Sequence, residues 1–427
     1  MEEFKQLTIW DFLSSDEQYK ITKPIRLIEL FAGIGAQAKA LENLHANFEH
    51  YKVCEFDKYA LASYNAIHNT NFKVSDITQL HASDLEIVDT DKYEYILTYS
   101  FPCQSLSLAG KQEGMEENSN TASSLLWEVK RILSECKELP QILLMENVPQ
   151  VHSKKNIDNF EKWQNFLTSL GYKNYWQDLN AKDYGIPQNR NRCFMISILN
   201  SEDIYSFPEK EELKLRLKDM LEEEVEEKYY LSDVAISKIV NWKAHQKPFE
   251  RVLGEESTSP CITARGAGED HSGMILFSNT LKTTSNLQNE CLQIRENILK
   301  EKSLFTETQA KMINKNGDVK RYINSNIVDK FNEGQCADIS FPNGYNKACR
   351  VHDECPAINV TTTQNSFIVK NNLRIRKLTP KECFRLMGFS DEDFDKASKF
   401  NSNTQLYKQA GNSIVVNVLM AIFKELL

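Results

Sequence analysis

The sequence contains no apolar stretch near the roughly 18–20 residues needed to cross a bilayer, so no membrane span is expected. Its beginning, Met1-Glu2-Glu3-Phe4-Lys5, lacks the apolar core of a secretory signal, and a cytoplasmic protein is expected. Its ten cysteines include no CxxC pair. Neither a metal site nor a disulfide framework is therefore expected, and in a reducing compartment the thiols stay thiols. Basic residues are not in excess: 51 Lys and Arg stand against 60 Asp and Glu, a net charge of −9. Alone, that argues mildly against a nucleic-acid partner, although binding depends on where the basic residues lie. Much of the acidity falls in Glu209–Glu227, where Leu213, Leu217 and Leu221 at helical spacing predict one solvated helix face. What is present is an ordinary globular balance, 41% hydrophobic and 26% charged, over 427 residues, enough for two domains.

From Ile25 to about Ile198 apolar runs alternate with helical stretches. The strand candidates are Ile25–Leu30, Tyr51–Cys54, Tyr95–Tyr99, Gln141–Met145 and Cys193–Ile198. Helices are predicted over Ala36–His45, Lys58–Ile67 and Ser123–Cys136. Such alternation implies βαβ units: an α/β protein with a doubly wound, mostly parallel sheet and its site at the carboxyl ends of the strands. The rhythm breaks after about Asn200. A region rich in Asn, Thr, Ser and Gly follows, read as a second, smaller and irregular domain over residues 200–370. Within it Ser259-Pro260-Cys261-Ile262-Thr263 faintly echoes Cys355-Pro356-Ala357-Ile358-Asn359, too weakly to count as a repeat. Regularity returns from Leu378 and ends in an apolar helix, Ile414–Leu427, expected to dock on the first domain. The first domain is thus 1–199 with 371–427.

Four segments deliver chemistry to strand ends. In Ser100-Phe101-Pro102-Cys103-Gln104-Ser105 a cysteine sits in a loop after a buried strand, where a nucleophile belongs. In Glu29–Ala38 a strand runs into a glycine turn and a helix, and Gly33, Gly35 and Ala38 satisfy GxGxxA. About twenty residues on, Glu55 is placed to bind both ribose hydroxyls of a nucleoside cofactor: NAD, FAD or S-adenosylmethionine. Asp76 is a second acid for the same ligand. Glu146, after four apolar residues and before Val148-Pro149, should be semi-buried, and desolvation raises a carboxyl pKa. In Gln188-Asn189-Arg190-Asn191-Arg192 alternate side chains of an extended segment share a face. Arginines there can bind phosphate, donate to a base carbonyl or favour a thiolate. Thr379, Pro380 and Glu382 spell a capped helix start, with Gly388 as its stop, and Gly411-Asn412-Ser413 is read at another helix start.

In order along the chain, the Phe31–Gly35 loop, Glu55, Asp76, Pro102-Cys103-Gln104, Glu146-Asn147-Val148, Gln188 to Arg192, Arg376 to Phe389 and Gly411-Asn412-Ser413 resemble the carbon-5 cytosine DNA methyltransferase family. The resemblance covers residues 25–198 and 374–427 and implies a Rossmann-like catalytic domain, with the irregular region as the target-recognition domain. It implies S-adenosylmethionine as cofactor and double-stranded DNA as partner, read in a cleft between the domains, with the cytosine flipped out of the helix. It further implies a monomer of bacterial or phage type, either one half of a restriction-modification system whose separate endonuclease forms no stable complex with it, or an orphan enzyme without such a partner. Cys103 would attack carbon-6 of the cytosine, and Glu146 would hold or protonate nitrogen-3. Arg192 would donate to the base carbonyl, and Arg190 would help to place the thiolate and a phosphate. Cofactor contacts fall on Phe31, Ala32, Gly33, Gly35, Glu55, Phe56, Asp76, Ile77, Pro102, Leu125, Asn412 and Ser413. Arg251, Arg265 and Arg350 are candidates to face DNA. The chain departs from the family pattern at Ala36 and Ser75, where glycine is usual, and in Thr121–Trp127, which lacks an Arg-Gly.

Three other readings compete, of which a non-catalytic binding protein that kept the fold is opposed by the intact Cys103, Glu146 and Arg192. An NAD- or FAD-dependent oxidoreductase explains Gly33, Gly35, Ala38 and Glu55 but leaves Cys103, Glu146 and the arginines without a shared purpose. A transfer-RNA methyltransferase shares the catalytic residues, but the long variable region fits DNA readout better.

Overall fold

The computed structural model describes residues 18–106, 114–117, 119, 121–230, 258–261 and 376–427, together with the course of short strands between 252 and 377. The chain divides into two compact units: residues 1–225, 255–273 and 378–427, and residues 226–254 and 274–377.

The first unit is built on strands β1 (Ile25–Leu30), β2 (Phe48–Cys54), β3 (Glu94–Tyr99), β4 (Ile142–Asn147), β5 (Tyr172–Asn180) and β7 (Asn191–Leu199), with the two-residue β6 (Gln188–Asn189) between the last pair. The large sheet runs β2-β1-β3-β4-β7-β5. The first four strands are parallel, whereas β7 is antiparallel to both β4 and β5. The parallel strands β1, β3 and β4 read as apolar runs because both their faces are covered. The alternation-based reading missed β5: Tyr172–Asn180 carries polar side chains on much of its length because it lies at the sheet edge. Inverting β7 has a functional consequence. Its first residues, not its last, lie at the carboxyl ends of the parallel strands.

Among the described residues the longer helices are α1 (Ala36–Asn43), α2 (Lys58–His68), α3 (Leu126–Glu135), α4 (Ile157–Ser169), α5 (Pro380–Arg385), α6 (Asp391–Ser398), α7 (Asn403–Asn412) and α8 (Val416–Leu426), beside one short turn of helix at Ala82–Leu85. The core centres on Tyr95, Leu97, Tyr99, Leu143, Met145, Trp127, Phe160 and Trp163. Apolar α8 docks on α1, as expected for a helix with six buried apolar side chains. Helix α5 starts as its sequence dictates: the Thr379 hydroxyl accepts from the Glu382 backbone N–H, while the Glu382 side chain accepts from the Thr379 N–H at 2.7 Å.

Two expectations are corrected here. Residues 209–227 form no α-helix, only the short turns Leu217–Met220 and Glu227–Tyr229. Adjacent glutamates repel along a helix face. Here the backbone finds outside partners instead: Arg385 Nη1 donates to the carbonyls of Met220 and Leu221, and the Glu222 N–H donates to the Glu382 carboxylate. Gly411-Asn412-Ser413 closes α7 rather than opening a helix, with Ser413 as its cap.

The second unit is assembled from short strands. Met274–Ser278 pairs antiparallel with Leu373–Lys377 and parallel with Val252–Leu253. Cys336–Asp338 lies between Val351–His352 and Phe367–Val369, and Val319–Lys320 pairs with Val328–Asp329. The segment 255–273, inside the region assigned to the irregular domain, groups with the first unit. Arg251, Arg265 and Arg350 lie outside the described residues.

Candidate active site

The turn between β1 and α1 is forced into left-handed backbone at Phe31 (φ 57°), Gly33 (φ 58°) and Gly35 (φ 80°). The two glycines differ in what surrounds them. A Cβ on Gly33 would meet nothing within 4 Å, so the backbone there borders open space. A Cβ on Gly35 would stand 2.2 Å from His68 Nε2 and 2.7 Å from the Tyr64 ring. His68 is fixed there by the Ile34 carbonyl (3.1 Å) and by Glu42 (2.6 Å). Gly35→Ala is therefore expected to cost about 2 kcal/mol or more in urea unfolding, strain plus collision. Gly33→Ala should cost less than Gly35→Ala and act mainly by filling the open space.

Glu55 follows β2 directly and folds back on this turn. Its Oε2 accepts from the Gly33 N–H at 2.8 Å, and its Oε1 from the Asp57 N–H at 2.7 Å. Burial lifts its proton affinity above the usual carboxylate range. Beside it the Phe56 ring is 72% exposed, which a large apolar side chain rarely is without a partner in prospect. Asp76 caps the turn Ile77–Gln79 through the Thr78 N–H (2.9 Å). The Ile77 side chain is buried in the main core, and that of Ala32 in a smaller cluster. Leu125 is partly buried against the same core as Ile77. Asn412 is exposed, and Ser413 is buried with its hydroxyl on the Ile414 carbonyl.

The loop after β3 is pinned from two sides. The Asn147 amide donates to the Phe101 carbonyl at 2.9 Å, and the Ser123 hydroxyl to the Pro102 carbonyl at 2.7 Å. Cys103 is thus held at the rim where β4 delivers Glu146. The Glu146 side chain is 10% exposed and bonded through Oε1 to Arg192 Nε at 3.1 Å. Register explains the pair: Glu146 lies opposite Phe194, and Arg192, two residues before Phe194 on β7, shares that face.

Burial raises the Glu146 pKa, against Arg192, Arg190 and a hydrogen bond from Ser100. The Cys103 thiol is also pushed up, first by burial and then by Glu146, with Arg192 and Arg190 pulling the other way. The expectation that cationic neighbours favour the thiolate is therefore outweighed here by burial and the carboxylate.

Arg190 and Arg192 diverge in role. Arg190 is 3% exposed and donates to the carbonyls of Gly411 (3.0 Å) and Ser413 (2.6 Å). A side chain so enclosed clamps the turn after α7, and the expected contact with a phosphate does not match that setting. The segment Gln188 to Arg192 is not one extended run: the Arg190 N–H turns back to the Gln188 carbonyl at 3.0 Å. Gln188 is likewise buried, donating to the Leu386 carbonyl at 2.7 Å. Sequence reading missed Cys261 as a neighbour of the site. Ser259–Pro260 pairs as a short strand, β8, with β6 and brings the Cys261 Sγ to 3.3 Å from Arg190 Nη1 and 3.8 Å from Arg192 Nη2. Burial would raise this thiol, but the two guanidinium groups outweigh it and hold the pKa below its ordinary value. Only the pairing of two distant dipeptides creates this contact.

Among the described residues two clusters have metal-ligating types: Glu42, His50 and His68, and His152, Asp178 and Cys193. Members of both are already joined by hydrogen bonds, His68 Nδ1 to Glu42 and His152 Nε2 to Asp178 at 3.0 Å.

Solved structures similar in fold include methyltransferases. The crystal structure of S. pombe Dnmt2 methyltransferase superposes with a TM-score of 0.57 at 18% identity, over 93% of this chain and 97% of that one. Entamoeba histolytica methyltransferase EhMeth does so with a TM-score of 0.59 at 16% identity, over 95% and 98%. At such identities the likeness shows the fold, a Rossmann-like methyltransferase fold. The chain belongs to the C-5 cytosine-specific DNA methylase family, whose model matches residues 25–427. It is similar to the type II methyltransferase M2.ScrFI of Lactococcus lactis subsp. cremoris, 33% identical over 94% of this chain and 99% of that protein. It is also similar to the orphan methyltransferase M.SPRI of Bacillus phage SPR, 31% identical over 94% and 97%. Its activity is that of a DNA cytosine-5 methyltransferase.

Proposed function

We propose that the protein methylates carbon-5 of a cytosine flipped out of double-stranded DNA at a specific sequence, with Cys103 as nucleophile and Glu146 as acid. The observation that carries the reading is the gathering of Cys103, Glu146 and Arg192 at one rim from the ends of β3 and β4 and the start of β7. The mostly short-stranded second unit is the proposed target-recognition part, from which DNA is read. A monomer acting in a bacterial cell or phage-infected host, as a restriction-modification or orphan enzyme, fits the kinds of relative it resembles.

The proposed cofactor is S-adenosylmethionine, and the residues fit it. Gly33 leaves room for close backbone approach, Glu55 offers buried carboxylate oxygens at a strand end, and Phe56 presents an uncovered ring for a base. When bound, this group supplies an electrophilic methyl. Carbon-5 of cytosine is a poor nucleophile unaided. Attack of the Cys103 thiolate on carbon-6 makes a thioether bond and moves electron density toward carbon-5 and nitrogen-3. The Glu146 carboxyl gives its proton to nitrogen-3, so no full charge builds on the ring. Arg192 holds the Glu146 carboxyl and donates to the base carbonyl. After carbon-5 is substituted, a solvent base takes its proton, the carbon-6–sulfur bond breaks so that Cys103 leaves as thiolate, and nitrogen-3 returns its proton to Glu146.

Expression in a methylation-free bacterium followed by bisulfite sequencing tests this. A recurring protected cytosine in one sequence context is the expected result. Genomic DNA without protected cytosines, from cells holding folded protein, refutes DNA as substrate.

A further inference from the structure

Beside the glycine turn, three side chains of ligand type meet from three elements: Glu42 of α1, His50 of β2 and His68, the last residue of α2. One ligand atom of each lies within 4.8 Å of the others. Glu42 Oε1 is 2.6 Å from His68 Nδ1 and 3.5 Å from His50 Nε2. The far side of each ring shows where its proton sits. His68 Nε2 lies 3.1 Å from the Ile34 carbonyl, which can only accept, so Nε2 carries the proton. A neutral ring then turns the bare Nδ1 lone pair to the Glu42 carboxylate. His50 is held in the same way: its Nδ1 lies 3.1 Å from the Tyr64 hydroxyl, whose own proton goes to Glu29. His50 Nδ1 therefore donates, and its Nε2 faces Glu42 bare. Two lone pairs and a carboxylate oxygen converge, and a positive charge belongs between them. Oxygen partners on the outer ring nitrogens are also what orients histidines at metal centres.

We propose that Glu42, His50 and His68 bind one zinc ion or a like divalent transition metal. Two imidazole nitrogens and one carboxylate oxygen suit zinc, cobalt or nickel, whereas calcium and magnesium favour oxygen alone. A tetrahedral ion with bonds of about 2.0–2.1 Å sets its ligand atoms about 3.3 Å apart. The 3.5 Å between His50 and Glu42 meets this, and the 2.6 Å between His68 and Glu42 has to open toward it. Glu42 can move: it is the last residue but one of α1 and 28% exposed, while the His68 side chain is fully enclosed. Water takes the fourth position from the exposed side. Lys39 is the cation that opposes the ion. Its Nζ is drawn to Asp393 at 2.8 Å and meets Glu42 at Oε2 (3.3 Å), which leaves Oε1 to the metal. The missing CxxC pair speaks only against thiolate sites. The ion ties the end of α1 and the edge strand β2 to the residue that supports the glycine turn at Ile34, so it acts on stability rather than on chemistry.

The test is a cobalt titration of the full-length protein, stripped of metal by a chelator and dialysed, followed by visible absorption with zinc as competitor. The wild type should take up one equivalent that His50→Gln does not. The spectrum lost between the two is that of the site, and it should lack the sulfur-to-cobalt charge-transfer band that a cysteine ligand brings. His50→Gln should weaken binding by about a hundredfold or more, since loss of even an outer hydrogen-bond partner at a metal centre costs about 10–100-fold. His50→Cys should bind the ion again and bring in the sulfur band, which a merely structural role for His50 cannot produce. His50 is partly exposed on the edge strand, so both variants are expected to fold. Zinc should also raise the unfolding temperature of the wild type and leave that of His50→Gln unchanged. No uptake by the wild type, or equal uptake and equal spectra in the wild type and His50→Gln, overturns the proposal. A proton shared between His68 and Glu42 then fills the gap instead.

Discussion

Replacing Cys103 by Ser is expected to lower methylation by about four orders of magnitude or more, with folding intact. The reason is chemical rather than steric. A serine hydroxyl loses its proton far less readily than a thiol. The nearest carboxylate, Glu146, is already engaged by Arg192 at 3.1 Å and is held to act as an acid. Among the described residues nothing else at the rim serves as the base that serine nucleophiles require. Binding should survive, because the loop is held by Asn147 and Ser123 through the Phe101 and Pro102 carbonyls, not through the thiol. Single-turnover methyl transfer and DNA affinity, measured on the same preparation, separate the two. The rival nucleophile is Cys261, whose thiol is the more easily ionised of the two. Activity that persists in Cys103→Ser and vanishes in Cys261→Ser would transfer the role to Cys261. The expected priority of Cys103 rests on its place at a parallel strand end beside the acid, whereas Cys261 is bound up with both guanidinium groups.

Glu146→Gln should lower kcat by about two to four orders of magnitude, since a positioned acid contributes that much. It should also move Cys103 in the opposite direction. In the wild type the Glu146 charge raises the Cys103 pKa, while Arg192 and Arg190 lower it. Removing the negative charge leaves the two positive ones, so the thiol pKa falls and the thiolate share near neutral pH rises. Alkylation of Cys103 by iodoacetamide should therefore become faster as methylation becomes slower. A loss of fold would slow turnover without this change, or would expose every thiol alike, which peptide mapping distinguishes. Slower alkylation of Cys103 in Glu146→Gln would contradict the electrostatic account. The same coupling predicts that protonating Glu146, which the proposed mechanism requires, also favours the thiolate beside it.

Much of the catalytic unit was legible in the chain itself. Strands β1, β3 and β4 are rich in apolar residues and almost wholly buried, and the capping pattern at Thr379–Glu382 reappears bond for bond in α5. Cys103 and Glu146 were legible because each follows such a run directly. Less visible was β5, whose polar edge residues imitate a loop, and the absence of helix in 209–227, where leucine spacing misled. Cys261 carried no signal that its sequence neighbours could supply.

The sequence by itself determined which residues arrive at strand ends, because period and apolar runs are local properties. It therefore determined the proposed nucleophile and acid, the glycine turn and the family. Tertiary structure alone decided how those groups act on one another. The inversion of β7 brings Arg192 to Glu146, and the β6–β8 pairing brings Cys261 to the arginines. Burial then raises the Cys103 and Glu146 pKa values together. Each depends on dehydration and on contacts between segments far apart in the chain, and neither quantity exists until the chain has folded.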